Sequence, residues 1–185
     1  MLDDTPALDL GASPATFQRL YRHIHRARAK VLDACEQLPD GAFTKEQGLG
    51  YSSMRNIFVH CIDCEQGWVG FVAQQEGLVT RERAEATGQK YDEYDLYPDV
   101  PTVRAFAAKV EAGIMAFLDG LQPEGLARTR RHTWSNDPAK AVVRRTDQIL
   151  MHVALHDTHH RGQLCALLRL SGVTPPPVDF MVPGL

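Results

Sequence analysis

At 185 residues the chain is long enough for one domain with a substantial buried core. It is 44% hydrophobic and 23% charged with a net charge of −3, an ordinary globular composition without the overall basic field that would attract nucleic acid. No apolar run approaches the ~18 residues of a membrane span, and the acidic Met1-Leu2-Asp3-Asp4 start lacks the parts of a secretory signal. A cytoplasmic protein with no membrane partner is expected, its cysteines serving as thiols or ligands and not as disulfides.

The first element starts at Ser13-Pro14, a cap followed by proline at the first helical position. Phe17, Leu20, Ile24, Ala27, Val31, Cys35 and Leu38 follow at three-four spacing until Pro39. A second helix from Ser52/Ser53 carries Met54, Ile57, Cys61, Cys64, Trp68 and Val72 on its buried stripe, with Gly77 as C-terminal cap. A third, from near Thr102, carries Val103, Phe106, Val110, Ile114, Phe117 and Leu121, and a fourth runs from Thr146 to Ser171, stopped by Gly172.

Four such helices cannot each bury a face alone, so the expected fold is all-α, a four-helix bundle forming a single domain over 1–185. Helices one and two are joined by about 13 residues, longer than a tight bundle loop. The second-third connection, at roughly 25 residues, is long enough to cross the bundle and suggests a parallel pair. The third-fourth connection is about as long, with short extended pieces over Arg128–Trp134 and Ala141–Arg144. Residues 1–12 read as a flexible N-terminus, and the proline-rich tail 172–185 as a segment packing back on the bundle.

Chemistry concentrates in Leu150-Met-His-Val-Ala-Leu-His-Asp-Thr-His-His-Arg-Gly162, which holds four of the eight histidines. Spacing alone allows the pairs 152/156, 156/159 and 156/160. At about 100° per residue, Ile149, Val153, Leu164 and Leu167 fall within an arc of roughly 60°; His156 and His160 lie in or beside it, His152 and His159 at its edge. The 156/160 pair therefore faces the core, one turn apart, where two neutral imidazoles can hold one metal ion. No Glu follows the first His, which excludes the H-E-x-x-H form.

A metal in a bundle core draws ligands from facing helices. His60, near the edge of the second stripe, reads by itself as a packed histidine; with His156 and His160 it completes a three-nitrogen site with one open position, the catalytic kind. Zinc is the first expectation and nickel the second. Cys61-Ile-Asp-Cys64 has no second C-x-x-C and reads as core packing, although Cys64, four residues after His60, is within reach of the metal. Cys165 reads as packing.

Asp63, Glu65 and Asp157 are candidate acceptors behind the ligating rings. Arg161 is expected to pair with Asp157 or Asp179, the alternative being an anionic substrate. Gly162, costly inside a helix, suggests close approach of another segment. Arg128, Arg130, Arg131, Arg144 and Arg145 read as a solvated loop face, since no nucleic-acid reading motif accompanies them. The loop Tyr91–Tyr97 either lines a pocket mouth or covers a bundle end.

Ser53-Met-Arg-Asn-Ile-Phe-Val-His60, His156-x-x-x-His160-Arg-Gly-Gln163, Gly172-x-x-Pro-Pro and Asp179-Phe180 resemble the DinB/YfiT-like superfamily over nearly the whole chain. The resemblance implies an up-down-down-up bundle, commonly a homodimer, with a divalent metal on three histidines; these carry over to His60, His156 and His160. It also implies a metal-dependent enzyme using a low-molecular-weight thiol as cofactor or co-substrate, of S-transferase or isomerase type, acting on a small-molecule substrate. Two alternatives stand beside it. One is a hydrolase using metal-activated water, with Glu65 or Asp157 as base. The other is a non-catalytic metal-binding stress-response protein. No general base is assigned.

Overall fold

Local sequence sets the helix starts. Ser13 Oγ accepts from the Thr16 amide (3.2 Å) while Thr16 Oγ1 accepts from the Ser13 amide (3.3 Å), with Pro14 opening helix α1, Pro14–Cys35. The same reciprocal cap joins Asp99 and Thr102 (2.9 and 3.3 Å), so α3 begins at Val100, two residues before the expected start. The chain order is α1, α2 (Met54–Ala73), a 3-10 turn (Tyr94–Leu96), α3 (Val100–Gly120), the short α4 (Pro123–Ala127), β1 (Thr129–His132), β2 (Val142–Arg145) and α5 (Thr146–Leu170). This computed structural model describes residues 10–48, 50–73, 94–132 and 142–182. Most of the expected flexible N-terminus, the expected Gly77 cap and most of the second-third connection lie outside them.

The chain is mostly helical. Helices α1 and α2 each pack against both α3 and α5, so every long helix has two long-helix neighbours. The two extended pieces read in the third-fourth connection pair antiparallel as β1 and β2, in register from Thr129 opposite Arg145 to His132 opposite Val142. Among the described residues no helix is long and apolar enough to cross a membrane.

Phe17, Tyr21, Met54, Phe58, Leu118, Leu150, Leu167 and Leu168 are fully buried where the four helices meet. Each such side chain contributes ~1.5–3 kcal/mol by leaving water. Tyr21 also donates its hydroxyl to the Leu150 carbonyl (3.0 Å), fastening α1 to α5. On α1 the buried surface is wider than the expected stripe. Tyr21, His25, Arg28 and Leu32 add a second buried row, while Leu20 is only half-buried.

Beyond α5, Gly172 turns the chain at φ +80°, and the Val173 amide donates back to Leu168 O (2.9 Å). Val173 joins the core, Val178 packs on it, and Phe180 meets the edge of His23 (4.9 Å, 70°). Tyr97, from the described part of the aromatic loop, stacks on Phe106 (4.7 Å, 21°), and Tyr94 and Tyr97 both pack on the core. Among the described residues the expected close approach at Gly162 is not there: the residue is exposed, and an added Cβ would meet none of them within 4 Å.

Leu150→Ala should cost about 2–5 kcal/mol and Tyr21→Phe about 1 kcal/mol in urea denaturation. A Leu150→Ala loss near zero would contradict this packing.

Candidate metal centre

Helices α2 and α5 face each other, and their histidines meet between them. His60 and His160 are buried and His156 is half-buried, whereas His152 and His159 are exposed, as the helical phase requires. His60 Nε2 lies 3.2 Å from His156 Nε2, which lies 3.1 Å from His160 Nε2. Cys64 Sγ lies 3.6 Å from His60 Nε2 and 3.7 Å from its Nδ1. Donor atoms of His60, Cys64 and His156 all fall within 4.8 Å of one another.

Burial, reinforced by His156 and His160, lowers the His60 imidazole to about 3; burial, reinforced by His160, His152 and His159, lowers His156 to about 4. Both rings are therefore neutral lone-pair donors at pH 7. Gln163 settles the third ring. Its amide nitrogen points to His159 Nε2 (3.3 Å), so its Oε1 is the acceptor for His160 Nδ1–H at 2.7 Å. In the neutral ring that tautomer makes Nε2 the lone-pair nitrogen, and it faces the cluster. Tyr51, just before α2, stacks on His60 (3.7 Å, 20°) and presents an edge to His160 at 5.6 Å.

With Zn–N near 2.0–2.1 Å and Zn–S near 2.3 Å, tetrahedral coordination separates two nitrogens by about 3.3 Å, and a nitrogen and a sulfur by about 3.6 Å. The neighbouring distances fit a divalent cation, and His160 joins the compact set of His60, Cys64 and His156 through its contact with His156.

A layer of buried charge lies on one side. Arg28 of α1 donates to Glu65 of α2 (2.6 Å), Asp157 of α5 (2.9 Å) and Glu111 of α3 (3.0 Å), and His25 meets Glu65 at 2.6 Å. Burial alone would raise the Glu65 carboxyl, but Arg28 and His25 overcome it and hold it at about 2. Glu65 and Asp157, expected as acceptors behind the ligating rings or as a base, are thus held by Arg28. Gln163 takes the role expected of them at His160. Asp63 is half-buried on α2.

Arg161 pairs with Asp157 (3.4 Å), and Asp179 is exposed. Cys61 is buried in the core, and its thiol is pushed well up by burial and the nearby Asp157 charge. In the basic cluster, Arg145 pairs with Asp147 (2.9 Å) and Arg130 donates to the Val72 carbonyl near the end of α2 (3.2 Å).

Sequence reasoning missed His25, Arg28, Tyr51 and Gln163. Only Gln163 left a signal, since its i+3 position after His160 places it on the same helix face.

Facing helices that bring imidazoles and a thiol together at ligand spacing fit the class of helical proteins carrying a metal site between their helices. Residues 11–183 match the DinB family, and the chain belongs to it. It is similar to Protein DinB of Bacillus subtilis (strain 168), 22% identical over 163 residues, a span of 88% of this chain and 90% of that protein.

Two outcomes follow from the site's surroundings. Arg28→Ala strands buried carboxylates and should cost about 3–5 kcal/mol in urea denaturation. For His60 and His156 the folded-state values lie below the ordinary 6.5, so the unfolded chain binds protons first. The melting temperature of chelator-treated protein should therefore fall as pH drops from about 6.5 toward 4, and His156→Gln should flatten that fall. An unchanged slope in the variant would remove His156 as a cause.

Proposed function

We propose that His60, His156 and His160 hold a divalent transition metal, zinc first and nickel second. On this reading the protein is a metal-dependent enzyme using a low-molecular-weight thiol as cofactor or co-substrate, of S-transferase or isomerase type. The observation that carries it is the run of three Nε2 atoms at 3.2 and 3.1 Å. Bound there, a divalent cation would keep a thiol as its thiolate at neutral pH.

The chain's residues supply the rest. Gln163 fixes the His160 tautomer, Tyr51 braces the His60 ring, and burial keeps His60 and His156 as neutral donors. The nucleophile is the small thiol itself, so the protein needs to provide none. Hydrolysis is the weaker reading, because both carboxylates expected to serve as base are engaged by Arg28. The family frame completes the proposal: a single-domain, up-down-down-up four-helix bundle, working as a cytoplasmic homodimer on a small-molecule substrate. The packing of each long helix on two others supports that frame.

Metal content of protein purified without a histidine tag tests the reading. Wild type and His152→Ala should carry about one transition metal per chain, as a mononuclear site requires. His60→Ala, His156→Ala and His160→Ala should lose it while still melting cooperatively. The metal-loaded protein should then consume a small electrophile only when a thiol is supplied. Wild type unable to take up added zinc or nickel would end the proposal. Thiol-independent ester turnover would favour the hydrolase, and metal loss that lowers only the melting temperature would favour a non-catalytic role.

A further inference from the structure

We propose that Cys64 is a fourth metal ligand, so that the resting protein holds a closed centre of three imidazoles and one thiolate. This rests on the three-histidine reading above and changes its consequence. The position expected to be open to an exogenous thiol is filled by one of the protein's own.

Three of the six edges of such a donor set have tetrahedral lengths, and His60, Cys64 and His156 form its mutually compact part. The nitrogen–nitrogen edges are 3.2 and 3.1 Å, and the sulfur–nitrogen edge from Cys64 to His60 Nε2 is 3.6 Å. Bond lengths around zinc give about 3.3 and 3.6 Å for such edges. Cys64 Sγ also lies within 4.8 Å of a His156 ring nitrogen, so it approaches donors from both helices. The local geometry repeats: His60 and Cys64 are one turn apart on α2, as His156 and His160 are on α5, so each helix presents an i, i+4 pair to the other.

The other cysteines do not share this placement. Cys61 lines a small cavity with Arg28, Phe58, Asp157 and Leu164, on the side of the charged layer. Cys35 is buried in the apolar core, and Cys165 packs against it.

Coordination replaces the Cys64 S–H bond with a metal–sulfur bond and releases the proton to solvent. It lowers the net charge of the centre by one relative to three neutral imidazoles. An incoming small thiol must then displace Cys64 or join as a fifth donor. Cys64 would thus act as an internal competitor that sets which thiols gain access.

Cobalt(II) titration of the metal-free full-length chain tests this, because a cobalt–thiolate bond adds an intense near-ultraviolet charge-transfer band that imidazole ligands lack. Wild type and Cys61→Ala should bind about one cobalt per chain with that band, as one tetrahedral site predicts. Cys64→Ala should bind about one cobalt per chain without it, and Cys64→Ser, which keeps the size of the side chain, should behave alike. Circular dichroism on each variant confirms that it is folded. Wild type that binds cobalt without the band, or a band that survives in Cys64→Ala, would overturn the proposal and leave the three-histidine site standing. Wild type that takes up no cobalt would overturn both.

Discussion

One guanidinium reaches all four long helices. Arg28 projects from α1 and bonds Glu65 on α2, Glu111 on α3 and Asp157 on α5, and it is 3% exposed. A buried charge is tolerated only when partners and geometry offset its lost hydration. Arg28 meets that condition only while each helix holds its rotation about its own axis. Apolar side chains alone would tolerate small shifts between helices, since hydrophobic burial is not directional. The ion network removes that freedom.

The histidine–cysteine cluster inherits this alignment. Glu65 directly follows Cys64, and Asp157 directly follows His156. Once Arg28 draws Glu65 and Asp157 to one side, the preceding residue on each helix is turned by about 100° toward the other. Two unlike layers result. In one, carboxylates are matched to guanidinium groups; in the other, burial keeps imidazoles neutral and able to donate lone pairs. The separation matters chemically, because a carboxylate freed from Arg28 beside these rings would favour their protonated, non-ligating form.

Legibility from sequence followed periodicity. On α5 burial follows the arc set by Ile149, Val153, Leu164 and Leu167, with His160 buried, His156 half-buried and His152 and His159 exposed, because a helix rotates all its residues together. Arg28 left no such trace, because an arginine at the margin of an apolar stripe reads as a solvent-reaching side chain. Its meaning depends on three acids from three other helices. Tyr51 precedes α2 in non-repeating chain, where no period exists to place it. Gly162 erred the other way: a residue costly within a helix suggested a contact, and no described residue comes close to it.

The sequence by itself determined the helical segments, their caps at Ser13 and Gly172, the core-facing pair His156 and His160, and a resemblance that the DinB family match confirms. These are properties of local spacing and of motif order, both carried by a linear chain. Only the tertiary structure decided that His60 and Cys64 meet His156, that Gln163 and not a carboxylate sets the His160 tautomer, and that Glu65 and Asp157 serve Arg28. The reason is physical: distances between atoms on different helices depend on the relative rotation and depth of those helices. Burial of the whole core and one shared guanidinium set these, and no single segment encodes them.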